Sequence, residues 1–74
     1  MQMISAAEKL VMERRREELY KLKIEVQERI HKAAAMGDLS ENAEYHFAKE
    51  ENRNIERELA ALQNKLQNVA VVSN

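Results

Sequence analysis

One stretch of the 74-residue chain breaks its helical pattern: Gly37-Asp38-Leu39-Ser40-Glu41-Asn42-Ala43-Glu44-Tyr45-His46. Gly37 is the only glycine, and the chain has no proline. A glycine after a helix is the usual left-handed stop, because it has no Cβ that would clash. A connection this short forces the two flanking helices to run antiparallel. The sequence therefore predicts a helical hairpin that bends between Met36 and Ser40.

Apolar residues recur on both sides of this bend with alternating spacings of three and four residues. Such spacing indicates a seam between two helices packed along their length. The expected seam residues are Met12, Leu19, Leu22, Val26, Ile30 and Ala33 before the bend, and Tyr45, Ala48, Asn52, Ile55, Leu59, Leu62, Leu66 and Val69 after it. Folding the chain at the bend places apolar positions opposite apolar positions. The predicted class is all-α, with two long antiparallel helices that form a coiled-coil hairpin.

The predicted organisation is a single helical-hairpin domain over residues 1–74. Its parts, in order, are helix 1 at about 5–36, the tip at 37–40 and helix 2 at about 41–68. Residues 69–74 open with the apolar run Val69-Ala70-Val71-Val72, which is rich in β-branched side chains. Such a run usually begins a strand or a connection. We expect it to start a linker to a missing C-terminal domain.

Two polar residues interrupt the expected seam. Asn52 lies opposite Val26, and a single Asn in an apolar seam typically sets the register of the helices. Arg15 lies opposite Leu62, where its alkyl stem can cover the seam while the guanidinium stays in water. Both positions are therefore interpreted as structural.

Composition excludes several functional classes. The chain has twelve basic and thirteen acidic residues, whereas an electrostatic nucleic-acid binder normally has a clear basic excess. It has no cysteine, so disulfides and thiolate metal sites are excluded. No apolar run has transmembrane length, and the N-terminus lacks the pattern of a secretory signal. We expect a cytoplasmic protein with no membrane partner.

Acidic residues gather at the bend: Asp38, Glu41 and Glu44. Asp38 and Glu41 have the spacing of a capping box, in which the first side chain accepts a helix N–H and the second reaches back. Negative charge in a first helical turn also complements the helix dipole. On this interpretation the acids only stabilise helix 2, and the protein is a structural coiled-coil interaction module.

The longer stretch from Gly37 to His46, followed by Ala48-Lys49-Glu50, resembles the tip signature of the bacterial Gre transcript cleavage factors, the GreA/GreB family. Three further segments are similar to the helices of that family: Ala7-Glu8-Lys9-Leu10, Glu17-Glu18-Leu19 and Leu66-Gln67-Asn68-Val69. The resemblance therefore covers nearly the whole chain.

The resemblance implies a transcription elongation factor domain that inserts into the secondary channel of RNA polymerase. Asp38 and Glu41 match the acidic pair with which the family helps the polymerase cleave the 3′ end of a backtracked transcript. The implied cofactor is Mg²⁺ shared with the polymerase, supported by Asp38, while Glu41 orients or deprotonates the attacking water. The chain alone would be neither an enzyme nor a metal binder, and it would have no small-molecule substrate. Lys32, Lys49 and Arg53 correspond to a basic patch with which the family contacts RNA phosphate, and the alternative, which the sequence favours, is that they are simply solvated charges.

The sequence departs from the family in two respects. Gre factors commonly carry Arg-Pro-Glu in the first helix, where this chain has Glu25-Val26-Gln27-Glu28-Arg29. They also have a C-terminal domain that docks on the polymerase, to which only the opening run Val69-Ala70-Val71-Val72 corresponds here. A third possibility is a Gre-like inhibitor that occupies the channel, although the presence of both tip acids argues against it. His46 and Glu50 lie one helical turn apart, but two ligands make a weak metal site.

Overall fold

The computed structural model describes residues 2–72, which form four elements in the order β1, α1, α2, β2. Their bounds are β1 Gln2–Ser5, α1 Ala6–Ala35, α2 Ala43–Gln67 and β2 Val69–Val72. The two helices pack against each other in antiparallel directions, which confirms the predicted all-α hairpin and adds two short strands to it. The result is a rod measuring 56 × 18 × 13 Å. Within residues 2–72, no helix combines the length and apolar character that crossing a membrane requires.

The open end of the rod contains a small parallel sheet. β1 pairs with β2 in a register that joins Gln2 to Val69 and Ser5 to Val72. Parallel strands need a long crossover connection, and here the whole helical hairpin supplies it. β2 occupies the first four residues of the expected linker, and residues 73–74 of that segment lie outside the described residues. The sequence did not predict β1, whose Ile4 is buried.

The half of the seam that α2 contributes follows the predicted spacing throughout. Ala48, Ile55 and Leu59 are buried. The remaining predicted positions are half-buried, namely Tyr45, Asn52, Leu62, Leu66 and, just beyond the helix, Val69. The alternation of three and four residues therefore identified the contact face of α2 without error. Each step is close to one helical turn of 3.6 residues, so successive positions stay on the same side of the helix.

The half of the seam that α1 contributes differs from the prediction at two positions. Leu22 is 39% exposed, and Arg15 is also exposed at the edge of the seam. Their neighbours Lys23 and Arg16 are half-buried instead. The observed spacing of three and four residues runs without interruption through Met12, Arg16, Leu19, Lys23, Val26, Ile30 and Ala33. Long aliphatic stems let the two basic residues occupy seam positions while their charges reach water.

Asn52 lies in the seam beside Glu56. Its side-chain nitrogen donates a hydrogen bond to Glu56 Oε1 at 3.2 Å. Its Oδ1 is buried and accepts no hydrogen bond from the described residues. A buried acceptor without a partner destabilises a fold. A role for Asn52 in setting the register stays a prediction.

Ion pairs join the two helices along the flanks of the seam. The guanidinium of Arg15 donates to both carboxylate oxygens of Glu58, at 2.6 and 3.1 Å. Lys23 lies 3.8 Å from Glu56, and Arg29 pairs with Glu51. The hydrogen bond from Arg15 holds the pKa of the Glu58 carboxyl below its usual range. Arg15 therefore contributes to the hairpin by crossing to Glu58, and coverage of Leu62 by its alkyl stem stays a prediction.

The seam predicts a large difference between two leucines of α1. Leu19 is 2% exposed and Leu22 is 39% exposed. Leu19→Ala should lower the free energy of unfolding by about 2–3 kcal/mol, because it leaves a cavity between the helices. Leu22→Ala should lower it by less than about 1 kcal/mol, and it controls for the change in helix propensity. Urea unfolding followed by circular dichroism measures both. Equal losses would contradict the observed seam.

The Arg15–Glu58 pair predicts a dependence of stability on pH. Because the pKa of Glu58 is lowered in the folded chain, its contribution is present above the usual glutamate pKa and is lost as the pH falls through the lowered value. Glu58→Gln should therefore lower the melting temperature at neutral pH and should match the parent chain in strong acid. Glu25→Gln, which removes a glutamate outside the cross-helix pairs, is the control. A parent-like melting curve for Glu58→Gln at neutral pH would contradict the prediction.

Candidate functional site

The closed end of the rod begins where α1 stops. Met36 caps the helix, with its N–H donating to the carbonyl of Ala33 at 3.1 Å. Gly37 follows with φ of +83°, and its N–H donates to the carbonyl of Ala34 at 3.2 Å. A Cβ on Gly37 would meet open space, so the glycine is needed for its backbone angle and not for close packing. The prediction that Gly37 terminates the first helix is confirmed.

The tip loop, defined here as residues 36–41, is exposed throughout. Asp38 also has a positive φ, of 37°, which Asp tolerates better than most residues do. A tight turn follows, in which the N–H of Glu41 donates to the carbonyl of Asp38 at 3.2 Å. The hydroxyl of Ser40 donates to Asp38 Oδ1 at 2.9 Å. The loop thus carries two carboxylates, Asp38 and Glu41, at the exposed end of the hairpin.

The expected capping of helix 2 by Asp38 is wrong. The helix begins at Ala43, and Asn42 is its cap: Asn42 Oδ1 accepts a hydrogen bond from the N–H of Tyr45 at 3.1 Å. The additional turn at the tip moves the start of the helix beyond Asp38, whose carboxylate bonds to Ser40 instead. Neither Asp38 nor Glu41 lies in α2. A signal for the true cap was present, because Asn is among the best N-caps and Asn42 directly precedes the regular spacing of α2.

Asn42 makes a second contact across the hairpin. Its side-chain nitrogen donates to the carbonyl of Ala33, in the last turn of α1, at 2.7 Å. The two neighbours assign the orientation of this amide, because a backbone N–H requires an acceptor and a carbonyl requires a donor. One side chain therefore joins the end of α1 to the start of α2. Sequence reasoning did not identify Asn42 as a residue of the site.

The three basic residues expected to contact RNA lie on the helices that flank the tip. Lys32 is in the last turn of α1. Lys49 is on α2, with its ammonium nitrogen 5.9 Å from the centre of the Tyr45 ring. Arg53, further along α2, donates to Glu50 Oε2 at 3.0 and 2.6 Å. The two lysines are closest in sequence to the tip loop, whereas the guanidinium of Arg53 already has a carboxylate partner.

His46 and Glu50, the pair one helical turn apart, both lie on α2. His46 stacks edge-on against Tyr45, with ring centres 5.6 Å apart. The hydrogen bond from Arg53 lowers the pKa of the Glu50 carboxyl. Among residues 2–72, no three His, Cys, Asp or Glu side chains group closely enough to hold a metal ion.

The tip and both helices fall within a known family. Residues 4–71 match the family model described as "Transcription elongation factor, N-terminal", which represents GreA and GreB. The chain belongs to the Gre family. The match extends from β1 to β2, so the resemblance noted at the tip is confirmed along almost the full length of this Gre-family hairpin.

Named relatives support the same assignment. The chain is 48% identical over 63 residues to transcription elongation factor GreA of Chlorobium phaeobacteroides, a match that covers 80% of this chain and 40% of the relative. It is 42% identical over 73 residues to GreA of Halorhodospira halophila, covering 93% of this chain and 43% of the relative. The Gre-family hairpin thus spans about two fifths of the length of these relatives. No solved structure matches it.

Capping by Asn42 predicts which tip substitutions destabilise the Gre-family hairpin. Asn42→Ala should lower the free energy of unfolding by about 1 kcal/mol or more, because the N–H of Tyr45 loses its acceptor. Asp38→Asn and Glu41→Gln should change it by no more than about 0.5 kcal/mol, because both positions are exposed and each substitute keeps the size of the acid. Thermal unfolding by circular dichroism measures all three. Parent-like stability of Asn42→Ala would contradict the capping of α2 by Asn42.

Proposed function

We propose that this Gre-family hairpin assists RNA polymerase by entering its secondary channel and presenting Asp38 and Glu41 at the active centre. There the two carboxylates stimulate cleavage of the 3′ end of a backtracked transcript. The hairpin is not an enzyme on its own. The observation that carries the proposal is the placement of both acids on an exposed loop outside the helix cap.

The shape of the molecule supports delivery through a narrow passage. The rod is 56 Å long and only 18 × 13 Å in cross-section. The buried seam and the cross-helix pairs of Arg15 and Arg29 hold its two arms together. A rigid post can bring a side chain to a distant reaction centre without losing the orientation that catalysis needs. The hairpin form therefore suits a factor that acts at its tip.

The tip carboxylates fit a shared metal and not a metal held by this chain alone. Asp38 offers oxygen donors, which Mg²⁺ prefers, and Mg²⁺ usually takes only one or two protein carboxylates and keeps several waters. When bound, the ion stabilises charge on the phosphodiester and lowers the pKa of a water. Asp38 would add a ligand and a negative charge. Glu41 would orient the attacking water or accept its proton.

Basic residues beside the tip complete the proposed role. Lys32 and Lys49 flank the tip loop and can contact RNA phosphates by charge. Arg53 would have to exchange its bond to Glu50 for a phosphate contact. Because the chain is nearly neutral overall, with twelve basic and thirteen acidic residues, such contacts would orient RNA locally rather than attract it from a distance.

The decisive experiment removes the charge of each acid while keeping its shape. Asp38→Asn and Glu41→Gln should each reduce the maximal rate of transcript cleavage by about 100-fold, since neither substitute can supply a metal ligand charge or accept a proton. Affinity for polymerase should not change. The assay measures transcript cleavage in stalled elongation complexes at a saturating concentration of the hairpin. The hairpin is tested both by itself and as a fusion to the C-terminal part of a GreA relative. The fusion is included because a second contact with the polymerase raises the effective concentration of the tip.

Glu44→Gln is the matched control, because Glu44 lies in the first turn of α2 and outside the tip loop. It should leave cleavage near the parent rate. Full cleavage by Asp38→Asn would reject the catalytic role and leave a structural coiled-coil module. Tight polymerase binding without any cleavage by the parent chain would instead identify a channel-occupying inhibitor.

A further inference from the structure

The side chain of Asn42 makes two hydrogen bonds where capping needs only one. Its Oδ1 caps α2 by accepting from Tyr45 N–H at 3.1 Å. Its nitrogen donates to the carbonyl of Ala33 at 2.7 Å, across the hairpin. The second bond contributes nothing to the first turn of α2. It connects the two ends of the tip loop.

The acceptor of this second bond is firmly placed. Ala33 is only 4% exposed and lies in the last turn of α1. Its carbonyl also accepts the N–H of Met36, at 3.1 Å, so the same oxygen ends the helix and holds Asn42. Asn42 itself is half-buried, which shields its bonds from competing water.

The other restraints on the tip loop are weaker. The bond from Ser40 to Asp38 joins two exposed side chains. The backbone bond from Asn42 N–H to Leu39 is long, at 3.5 Å. Gly37 has more backbone freedom than any other residue type. The described contacts therefore leave the amide of Asn42 as the one side-chain bond from the tip end of α2 to the rigid end of α1.

We propose that Asn42 is a positioning residue, whose amide nitrogen, bonded to Ala33 of α1, holds Asp38 and Glu41 in a fixed orientation relative to the rod. This rests on the proposed function of the two acids. Asp38 lies four residues before Asn42 and Glu41 directly before it, so any swing of this junction moves both carboxylates. Misplacement by about 1 Å can reduce a catalysed rate by about 100-fold.

Asn42→Ser separates the two bonds. Serine caps a helix about as well as asparagine, but its short hydroxyl replaces the amide that donates to Ala33. The variant should therefore keep the melting temperature of the parent chain more closely than Asn42→Ala does. Asn68→Ser is the matched control, because it removes an amide that donates to the carbonyl of Asn64, at the open end and away from the tip, at 2.8 Å.

The first readout needs no polymerase. NMR order parameters of the backbone amides from Gly37 to Glu41 should fall in Asn42→Ser from rigid values near about 0.85 toward about 0.6. Asn68→Ser should leave them unchanged. Rigid amides in Asn42→Ser would overturn the proposal, because the loop would then be held without this bond.

The second readout is cleavage at saturating hairpin. Asn42→Ser should lower the maximal rate by about 10-fold to 100-fold with an unchanged half-saturating concentration. A role in capping alone would leave the rate at the parent value, and that result would also overturn the proposal. If the parent chain stimulates no cleavage, the proposed function fails, whereas the NMR comparison still decides whether Asn42 orders the tip.

Discussion

The antiparallel seam between α1 and α2 is the contact on which the other features depend. Burial of Leu19, Val26, Ile55 and Leu59 removes apolar surface from water, at a gain of about 25 cal/mol per Å². The two four-residue strands could not form a stable sheet alone. The ion pairs that flank the seam are solvent-exposed, and such pairs contribute little by themselves. Sheet and ion pairs therefore form because the seam has already brought their partners together.

The seam also determines the geometry of the tip. Near the bend the seam includes two small buried residues, Ala33 and Ala48, which are 4% and 2% exposed. Small side chains allow helices to approach closely. This approach brings the carbonyl of Ala33 within reach of the short side chain of Asn42. A larger residue at either alanine would separate the helix ends and lengthen that bond.

Capping and the proposed chemistry fall on different residues at the tip. The side chain of Asn42 accepts the hydrogen bond from Tyr45 N–H in the first turn of α2. The carboxylates of Asp38 and Glu41 are therefore not needed as caps of that helix. Free carboxylates on an exposed loop repel each other less than buried ones would, because water screens them. Among residues 2–72, no basic side chain forms an ion pair with either acid, so the tip can present two negative charges. The near-neutral charge of the whole chain conceals this local concentration of acid.

Several features followed from the sequence alone. The spacing of apolar residues in α2, the stop at Gly37 and the similarity of the tip to the Gre family all survive comparison with the structure. The first two depend on a local property, either the 3.6-residue turn of a helix or the backbone freedom of glycine, whereas the third rests on the residue string from Gly37 to His46 itself. The class and the hairpin were therefore predictable, and so was the position of the tip.

Other features required the tertiary structure. Lys23 takes the seam position that hydrophobicity assigned to Leu22, because the rotation of α1 is determined by the whole interface and not by one residue. Asn42 caps α2 in place of Asp38, because the loop makes an extra turn whose path depends on the distance between the helix ends. β1 forms only because the hairpin returns β2 to its side. Cross-helix hydrogen bonds, such as those of Asn42 and Arg15, join residues that are far apart in the sequence. Local sequence patterns do not predict such pairs, because the packing of the two helices determines which side chains meet.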